Sequence, residues 1–123
     1  MTDVAARALE AFTPAQVHVS GEPVELSSRH TLALSLALHE LATNATKYGA
    51  LSCPSGSVVL TWAVQDGKLR LNWEERDGPP VTPPTQKGFG TRLLELLLAR
   101  DLGGSVKLIY DVSGVRCRVS VAL

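Results

Sequence analysis

Hydrophobic positions along the chain are spaced as in helices at three places and as in strands at five. The most regular helical stretch follows Ser27 and Ser28, either of which can cap it, and runs to Tyr48, with Gly49 placed to end it. The other two helices are predicted at 2–12 and in the leucine-rich "FGTRLLELLLARDL", which Gly103-Gly104 follows.

The clearest strands, 57–65 and 68–75, are separated by Asp66-Gly67, the two-residue signature of a type I′ hairpin turn. Hydrophobic residues occupy every second position of each strand, so one face belongs in the core and the other is polar. Further strands are predicted at 16–21, 105–111 and 115–122, with Ser113-Gly114 turning the last pair. Cys117 shares the alternation of the last strand and is expected to be a small core residue.

This order of elements predicts an α/β (α+β) two-layer sandwich, with a mixed, mostly antiparallel sheet and about three helices on one face. The 123 residues form one expected domain, 1–123, without internal repeats. Between the second hairpin strand and the third helix, "RDGPPVTPPTQKG" holds four of the seven prolines and has no periodicity. We expect a functional loop there, because long loops in compact domains usually have a role.

Charge and cysteine content narrow the functional classes. Twelve basic residues balance twelve acidic ones, so the whole-molecule field that would hold nucleic acid or an anionic membrane is missing. The first residues do not resemble a secretory signal, and the longest apolar run, 32–38, is too short to span a bilayer. With two cysteines expected to be free, we predict a cytoplasmic protein without nucleic-acid or membrane contact.

The stretch "LHELATNATKYGALS" at 38–52 carries the candidate chemistry. A zinc H-E-x-x-H site is excluded because Thr43 stands where the second histidine is needed. At about 100° per residue, Glu40, Asn44 and Lys47 share one helix face, with Tyr48 at its edge.

A carboxylate, an amide and an ammonium on one face suit a Mg²⁺-nucleotide. The Asn44 carbonyl can ligate the metal, Glu40 can do so directly or through water, and Lys47 can meet phosphate oxygens. The alternative from spacing alone is a solvated polar flank of an amphipathic helix, and it stays open at this point.

Two further features point to the same ligand. "GFG" at 88–90 precedes the third helix, where glycine amides and the helix N-terminus would form an anion seat with Lys87 and Arg92 nearby. Glu75 has the inward parity of its strand's hydrophobic residues. Because an unpaired buried charge is costly, Glu75 needs either a protein partner or a pocket where a ligand amine meets it.

Together these residues resemble a known family. "HELATNATKYGALS" looks like the N-box of the GHKL (Bergerat-fold) ATPases, and with Trp73, Glu75 and "GFG" it resembles the HWE subgroup of bacterial sensor histidine kinases. The resemblance runs from about Gly21 to the C-terminus. It implies the kinase's catalytic ATP-binding domain, and it implies that His39 is not the phosphorylated histidine. His39 is expected either to position neighbouring groups or to be a partly buried structural histidine.

The resemblance also implies residue roles. Asn44 would chelate Mg²⁺, Glu40 would assist at the metal or phosphoryl site, and Lys47 would contact phosphates. Tyr48 would pack on the adenine, while Gly88 and Gly90 would form the phosphate-binding lid. The full expected nucleotide-binding set is Asn44, Lys47, Tyr48, Glu75, Asp77, Gly78, Lys87, Gly88, Phe89, Gly90 and Thr91.

One position departs from the family pattern W-x-E-x-G-G-P. Here the sequence reads "WEERDGPP", with Asp77 where the first glycine belongs. Either Glu75 or Asp77 can therefore be the acid that reads the adenine amine, and Glu75 is preferred for its inward parity. Asp77 is expected to stiffen a turn that glycine leaves loose, because residues other than glycine tolerate positive φ poorly.

The dimerising hairpin that carries the acceptor histidine in such kinases is not expected in this chain. The domain should therefore bind ATP but need a histidine from elsewhere, followed by a response regulator, and it should be a monomer when isolated. Two other functions stay open: an anti-sigma-type Ser/Thr kinase with Glu40 as general base, and a non-catalytic docking module that has lost nucleotide binding. The Trp-x-Glu pair and "KYGALS" argue against the first, and the intact N-box residues argue against the second.

Overall fold

The computed structural model describes residues 1–12, 15–81, 92, 95–96 and 103–123. Its helices are α1 (Thr2–Ala8) and α2 (Ser28–Lys47), and a 3₁₀ turn covers Ala50–Ser52. Its strands are β1 (Val17–Gly21), β2 (Ser57–Gln65), β3 (Lys68–Arg76), β4 (Ser105–Asp111) and β5 (Gly114–Ala122).

The five strands form one sheet in the order β1-β2-β3-β5-β4. β1 runs parallel to β2, and every other neighbouring pair is antiparallel. The predicted mixed, mostly antiparallel sheet is therefore confirmed. Two α-helices lie within the described ranges where about three were expected. Most of the segment predicted as the third helix lies outside those ranges, and its described residues Arg92, Glu95 and Leu96 are helical.

Helix α2 begins where the sequence predicts and ends at Lys47, one residue before the predicted end at Tyr48. The Ser27 hydroxyl caps its start by accepting the backbone N–H of His30 at 3.2 Å. At the other end, the Tyr48 N–H donates to the Asn44 carbonyl at 2.8 Å, and the Gly49 N–H donates to Ala45 at 3.0 Å. The last helical turn is thus closed just before the chain leaves the helix.

The two hairpins differ in how well their turns were predicted. Asp66 and Gly67 have φ values of 53° and 73°, as a type I′ turn requires. Ser113-Gly114 is not the second turn, because Gly114 already pairs with Asp111 as the first residue of β5. The turn consists of Val112 and Ser113, and the Ser113 N–H donates to Asp111 Oδ1 at 2.9 Å.

The core lies between one face of the sheet and the helices. Trp73, Leu60 and Leu34 are fully buried there, and the opposite sheet face is polar. Cys117 is also fully buried, which confirms it as a core residue, and burial raises the pKa of its thiol to about 12. Within the described ranges, no helix combines the length and apolar character needed to cross a membrane.

Candidate active site

The polar face of α2 brings together Glu40 and Asn44, one helical turn apart. The Asn44 Nδ2 group donates to Glu40 Oε1 at 3.4 Å, and both side chains are half-buried. Their proximity follows from the i, i+4 spacing of a helix. Because the amide nitrogen is turned toward the carboxylate, the Asn44 carbonyl oxygen is left as an acceptor without a donor among the described residues.

Lys47 and Tyr48 extend this face beyond the end of the helix. Lys47 is the last helical residue and is exposed, so its ammonium lies where the helix dipole favours a cation. The Tyr48 side chain is 74% exposed, although its backbone is fixed by the helix end. An aromatic ring with so little protein contact leaves most of its surface available to a ligand.

Glu75 is the second-last residue of β3, on the core-facing side of the strand, and is only 5% exposed. Its Oε2 accepts the indole N–H of Trp73 at 3.0 Å, and its Oε1 accepts the backbone N–H of Ala50 at 3.0 Å. The sequence left open whether this carboxylate has a protein partner or faces a pocket. The structure gives it two protein donors.

Burial raises the pKa of Glu75 above its ordinary value, because desolvation penalises the charged form. The hydrogen bonds from Ala50 and then Trp73 act in the opposite direction and stabilise the carboxylate. The sequence identified Glu75 and Trp73 but not how they are joined. The i, i+2 spacing of Trp73 and Glu75 on one strand face was the sequence signal for their contact. No feature of the sequence indicated the contact between Ala50 and Glu75.

The segment after α2 passes very close to β3 and its following loop. A Cβ on Gly49 would lie 2.1 Å from Glu75 Oε1, and one on Gly78 would lie 2.6 Å from Ala50 Cα. A Cβ on Gly56 would lie 1.8 Å from the Ala50 carbonyl oxygen. These three positions require glycine because backbone or a buried carboxylate occupies the space of a side chain. The glycines at 49 and 78 let the segment after α2 lie against the end of β3, and Gly56 lets that segment turn back on itself.

Asp77, the first residue after β3, has a φ of 58°. This left-handed conformation confirms the expectation that a residue other than glycine stands here at positive φ. The Asp77 side chain is exposed, while its carbonyl accepts the Ser55 hydroxyl at 3.4 Å. Its carboxylate therefore lies at the surface of the corner where Glu75 is buried.

Two sequence predictions remain, for His39 and for the phosphate-binding lid, and the structure tests only the first. His39 was expected either to position neighbouring groups or to be a partly buried structural residue; it is exposed, so the second expectation is wrong. Lys87, Gly88, Phe89, Gly90 and Thr91, the predicted lid, lie outside the described residues.

The amino-acid sequence is similar to those of named kinases. It is 43% identical over 104 residues to a blue-light-activated histidine kinase of Brucella ovis, covering 81% of this chain and 21% of that protein. It is 41% identical over 109 residues to blue-light-activated histidine kinase 1 of Erythrobacter litoralis, covering 86% of this chain and 30% of that protein. The chain thus spans less than a third of the length of either relative. No protein-family model matches it.

Solved structures share the fold. A histidine kinase domain from the Erythrobacter litoralis blue-light-activated kinase EL346 superposes with a TM-score of 0.80 at 22% identity, over 99% of this chain and 58% of that one. This chain has the fold of a histidine kinase catalytic domain. The catalytic domain of the histidine kinase ThkA superposes with a TM-score of 0.75 at 14% identity, over 98% of this chain and 90% of that one. The resemblance to histidine kinase catalytic domains is therefore confirmed, and the HWE subgroup stays a prediction.

Proposed function

We propose that the chain is the ATP-binding catalytic domain of an HWE-type, two-component histidine kinase. It would transfer the γ-phosphoryl group of ATP to a histidine on a separate dimerisation domain, which would pass it to a response regulator. The observation that carries this proposal is the Glu40–Asn44 contact beside the exposed Lys47 and Tyr48. The named relatives and the shared fold support the same reaction. A cytoplasmic location is part of the proposal.

The side-chain oxygen atoms of Glu40 and Asn44 on α2 suit the ligation of a magnesium ion. Asn44 offers a carbonyl oxygen that accepts no hydrogen bond from the described residues, and the Glu40 carboxylate lies next to it. Mg²⁺ prefers such hard oxygen ligands and keeps several waters, so Glu40 is proposed to act directly or through water. When bound, the metal neutralises phosphate charge.

Residues around Glu40 and Asn44 are proposed to bind the phosphates and the adenine of the nucleotide. Lys47 binds phosphate oxygens as a mobile point charge, and the exposed Tyr48 ring packs on the adenine. The corner formed by Glu75, Asp77 and Gly78 receives the adenine amine. Lys87, Gly88, Phe89, Gly90 and Thr91 are proposed to close over the phosphates.

Glu75 remains the preferred acid for the adenine amine, with Asp77 as the alternative. Each carboxylate oxygen has two lone pairs, so accepting from Trp73 and Ala50 leaves one acceptor position on each oxygen. Asp77 is more exposed than Glu75, but it lies after the end of β3, in a turn where its backbone has a positive φ. The two residues are separable by mutation.

The chain's own residues contribute positioning and charge to the transfer. An unprotonated imidazole nitrogen of the acceptor histidine attacks the γ-phosphorus; the new P–N bond forms as the bond to the β-γ bridging oxygen breaks, and ADP leaves. The other ring nitrogen then loses its proton to solvent. Lys47 holds the phosphates during this step, and Glu40 orients groups at the phosphoryl site. Without an acceptor histidine, bound ATP is expected to hydrolyse little.

The deciding experiment is calorimetric titration of a non-hydrolysable ATP analogue, with and without Mg²⁺. Wild type should bind saturably in the presence of Mg²⁺, and Asn44→Ala should lose that binding because the carbonyl ligand is gone. Thr31→Ala, three turns earlier on the exposed side of α2, is the matched control and should bind like wild type. Absence of binding by folded wild type would reject the kinase proposal in favour of a docking module.

A further inference from the structure

The sheet face turned away from the helices carries a shallow groove of about 650 Å³. It lies over β2, β3, β5 and the edge strand β4, on the opposite side of the sheet from the core and from α2. Its exposed cations are Arg70 of β3, Lys107 of β4 and Arg118 of β5. We call these three residues the basic triad. The polar uncharged residues of the groove are Thr61, Asn72, Ser105 and Ser120.

Strand register places the triad close together. Lys107 is directly opposite Arg118 in the β4–β5 pair. Arg70 is opposite Ser120, which puts it on the diagonal from Arg118 in the β3–β5 pair. Like charges directly opposite on neighbouring strands destabilise a sheet, so this arrangement costs folding free energy.

Within the described residues, no acid lies within ion-pair distance of the triad. None of its three members forms an ion pair there. The acids on the same sheet face contact other cations: Glu74, which is on the other diagonal from Arg118, pairs with Arg76 at 3.2 Å, and Asp111 lies 3.9 Å from an Arg116 nitrogen. Although the whole chain has zero net charge, the described residues of this sheet face thus carry three cations without an ion-pair partner among them.

We propose that this groove binds an acidic segment of a protein, rich in aspartate or glutamate, through the basic triad. Carboxylates would meet the three cations, and the surrounding hydroxyl and amide groups would bond the segment's remaining polar atoms. The proposal is separate from the nucleotide site, which lies at the end of α2.

Charge argues against the other occupants. A second copy docked by two-fold symmetry would place the same cations against each other, because such an interface uses one patch on both partners. Nucleic acid or an anionic membrane would be attracted by a broad positive field, which a balanced chain lacks. A short acidic segment needs only a local cluster.

The probe is a fluorescein-labelled decapeptide of alternating glutamate and glycine, followed by fluorescence anisotropy at low and physiological salt. Wild type should bind it, and Arg118→Gln should weaken binding by roughly three- to tenfold, the size expected for one charge in a charged contact. The variant that replaces the whole triad with glutamine should not bind. Arg7→Gln, which removes one exposed charge from α1, should bind like wild type.

A second readout separates lost contacts from lost folding. The melting temperature of Arg118→Gln should equal or exceed that of wild type, because the variant removes a cation opposite Lys107. Asn44→Ala should keep peptide binding, so failure of the nucleotide site and failure of this groove are distinguishable.

Several results would overturn the proposal. They are no peptide binding by wild type, unchanged binding by the glutamine triad variant, and peptide-induced amide shifts on α2 instead of β4 and β5. Tighter, triad-dependent binding of a random-sequence DNA duplex or of phosphatidylserine vesicles would assign the groove to another class of partner.

Discussion

The indole N–H of Trp73 donates to the carboxylate of Glu75 at 3.0 Å, inside the core face of β3. The other oxygen of that carboxylate accepts from the Ala50 backbone, 25 residues earlier in the chain. Glu75 therefore joins the end of β3 to the segment that follows α2. The consequences of this link can be measured without knowing the ligand.

Replacing Glu75 with glutamine should destabilise the fold. The amide has one acceptor oxygen where two donors converge, so either Trp73 or Ala50 would face an N–H₂ group. A buried donor left without an acceptor costs roughly 1 to 3 kcal/mol. Urea unfolding would measure the change. Glu74→Gln, on the outer face of the same strand, is the control and should change stability by less than about 1 kcal/mol, because surface ion pairs contribute little.

The same residue should give the domain a characteristic pH dependence. Burial raises the folded-state pKa of Glu75 above 4.5, so the folded state binds this proton more readily than the unfolded chain. Its favourable contribution is complete below 4.5 and is lost as pH rises through the folded-state pKa. The free energy of unfolding of wild type, relative to Glu75→Gln, should therefore fall with rising pH and then level off. A relative stability that rises over this range would contradict the burial argument.

Much of the fold follows from local sequence. Alternation along β2 and β3, the Ser27 cap and Asp66-Gly67 each express a preference of a few neighbouring residues, and all appear where predicted. The predicted Ser113-Gly114 turn was wrong by one residue, because Gly114 is already the first residue of β5 and lies against the backbone of β3. A Cβ there would lie 2.0 Å from the Glu75 carbonyl oxygen.

Some contacts of the candidate site could likewise be predicted from local sequence, and others could not. The Glu40–Asn44 contact follows from helical spacing and could be predicted. The donor from Ala50 to Glu75 could not, because it depends on where a turn after one element meets the end of another. An inward-pointing acid signals that a partner is needed but does not identify that partner.

Asp77 provides a test of backbone strain. Its φ of 58° is a conformation that costs an L-residue with a Cβ roughly 1 to 2 kcal/mol, with aspartate less affected than most. We expect Asp77→Ala to be less stable than Asp77→Gly by about 1 kcal/mol, with wild type between them. Thermal or urea unfolding of the three proteins measures the order. Equal stability of the alanine and glycine variants would show that the turn relaxes.

The adenine-reading acid is decided by affinity. Glu75→Ala should abolish binding of a non-hydrolysable ATP analogue, whereas Asp77→Gly should bind at least as tightly as wild type. The reason is that glycine restores the family residue and removes strain, while alanine at 75 removes the preferred acceptor for the adenine amine. Calorimetry should follow a check that both variants fold. Equal weakening by both substitutions would defeat the assignment to Glu75.

Gly49 and Glu75 should be energetically coupled. A Cβ at residue 49 would lie 2.1 Å from Glu75 Oε1, while the next atom, Ala45 Cα, would be 3.2 Å away. Gly49→Ala alone should therefore be strongly destabilising, because the carboxylate must leave both of its donors. In Glu75→Ala the obstructing oxygen is already gone, so adding Gly49→Ala should cost much less. The double-mutant cycle should give an interaction energy of roughly 1 to 3 kcal/mol, opposite in sign to the single losses. Additive losses would mean that the close approach to Ala45, and not the carboxylate, requires glycine at position 49.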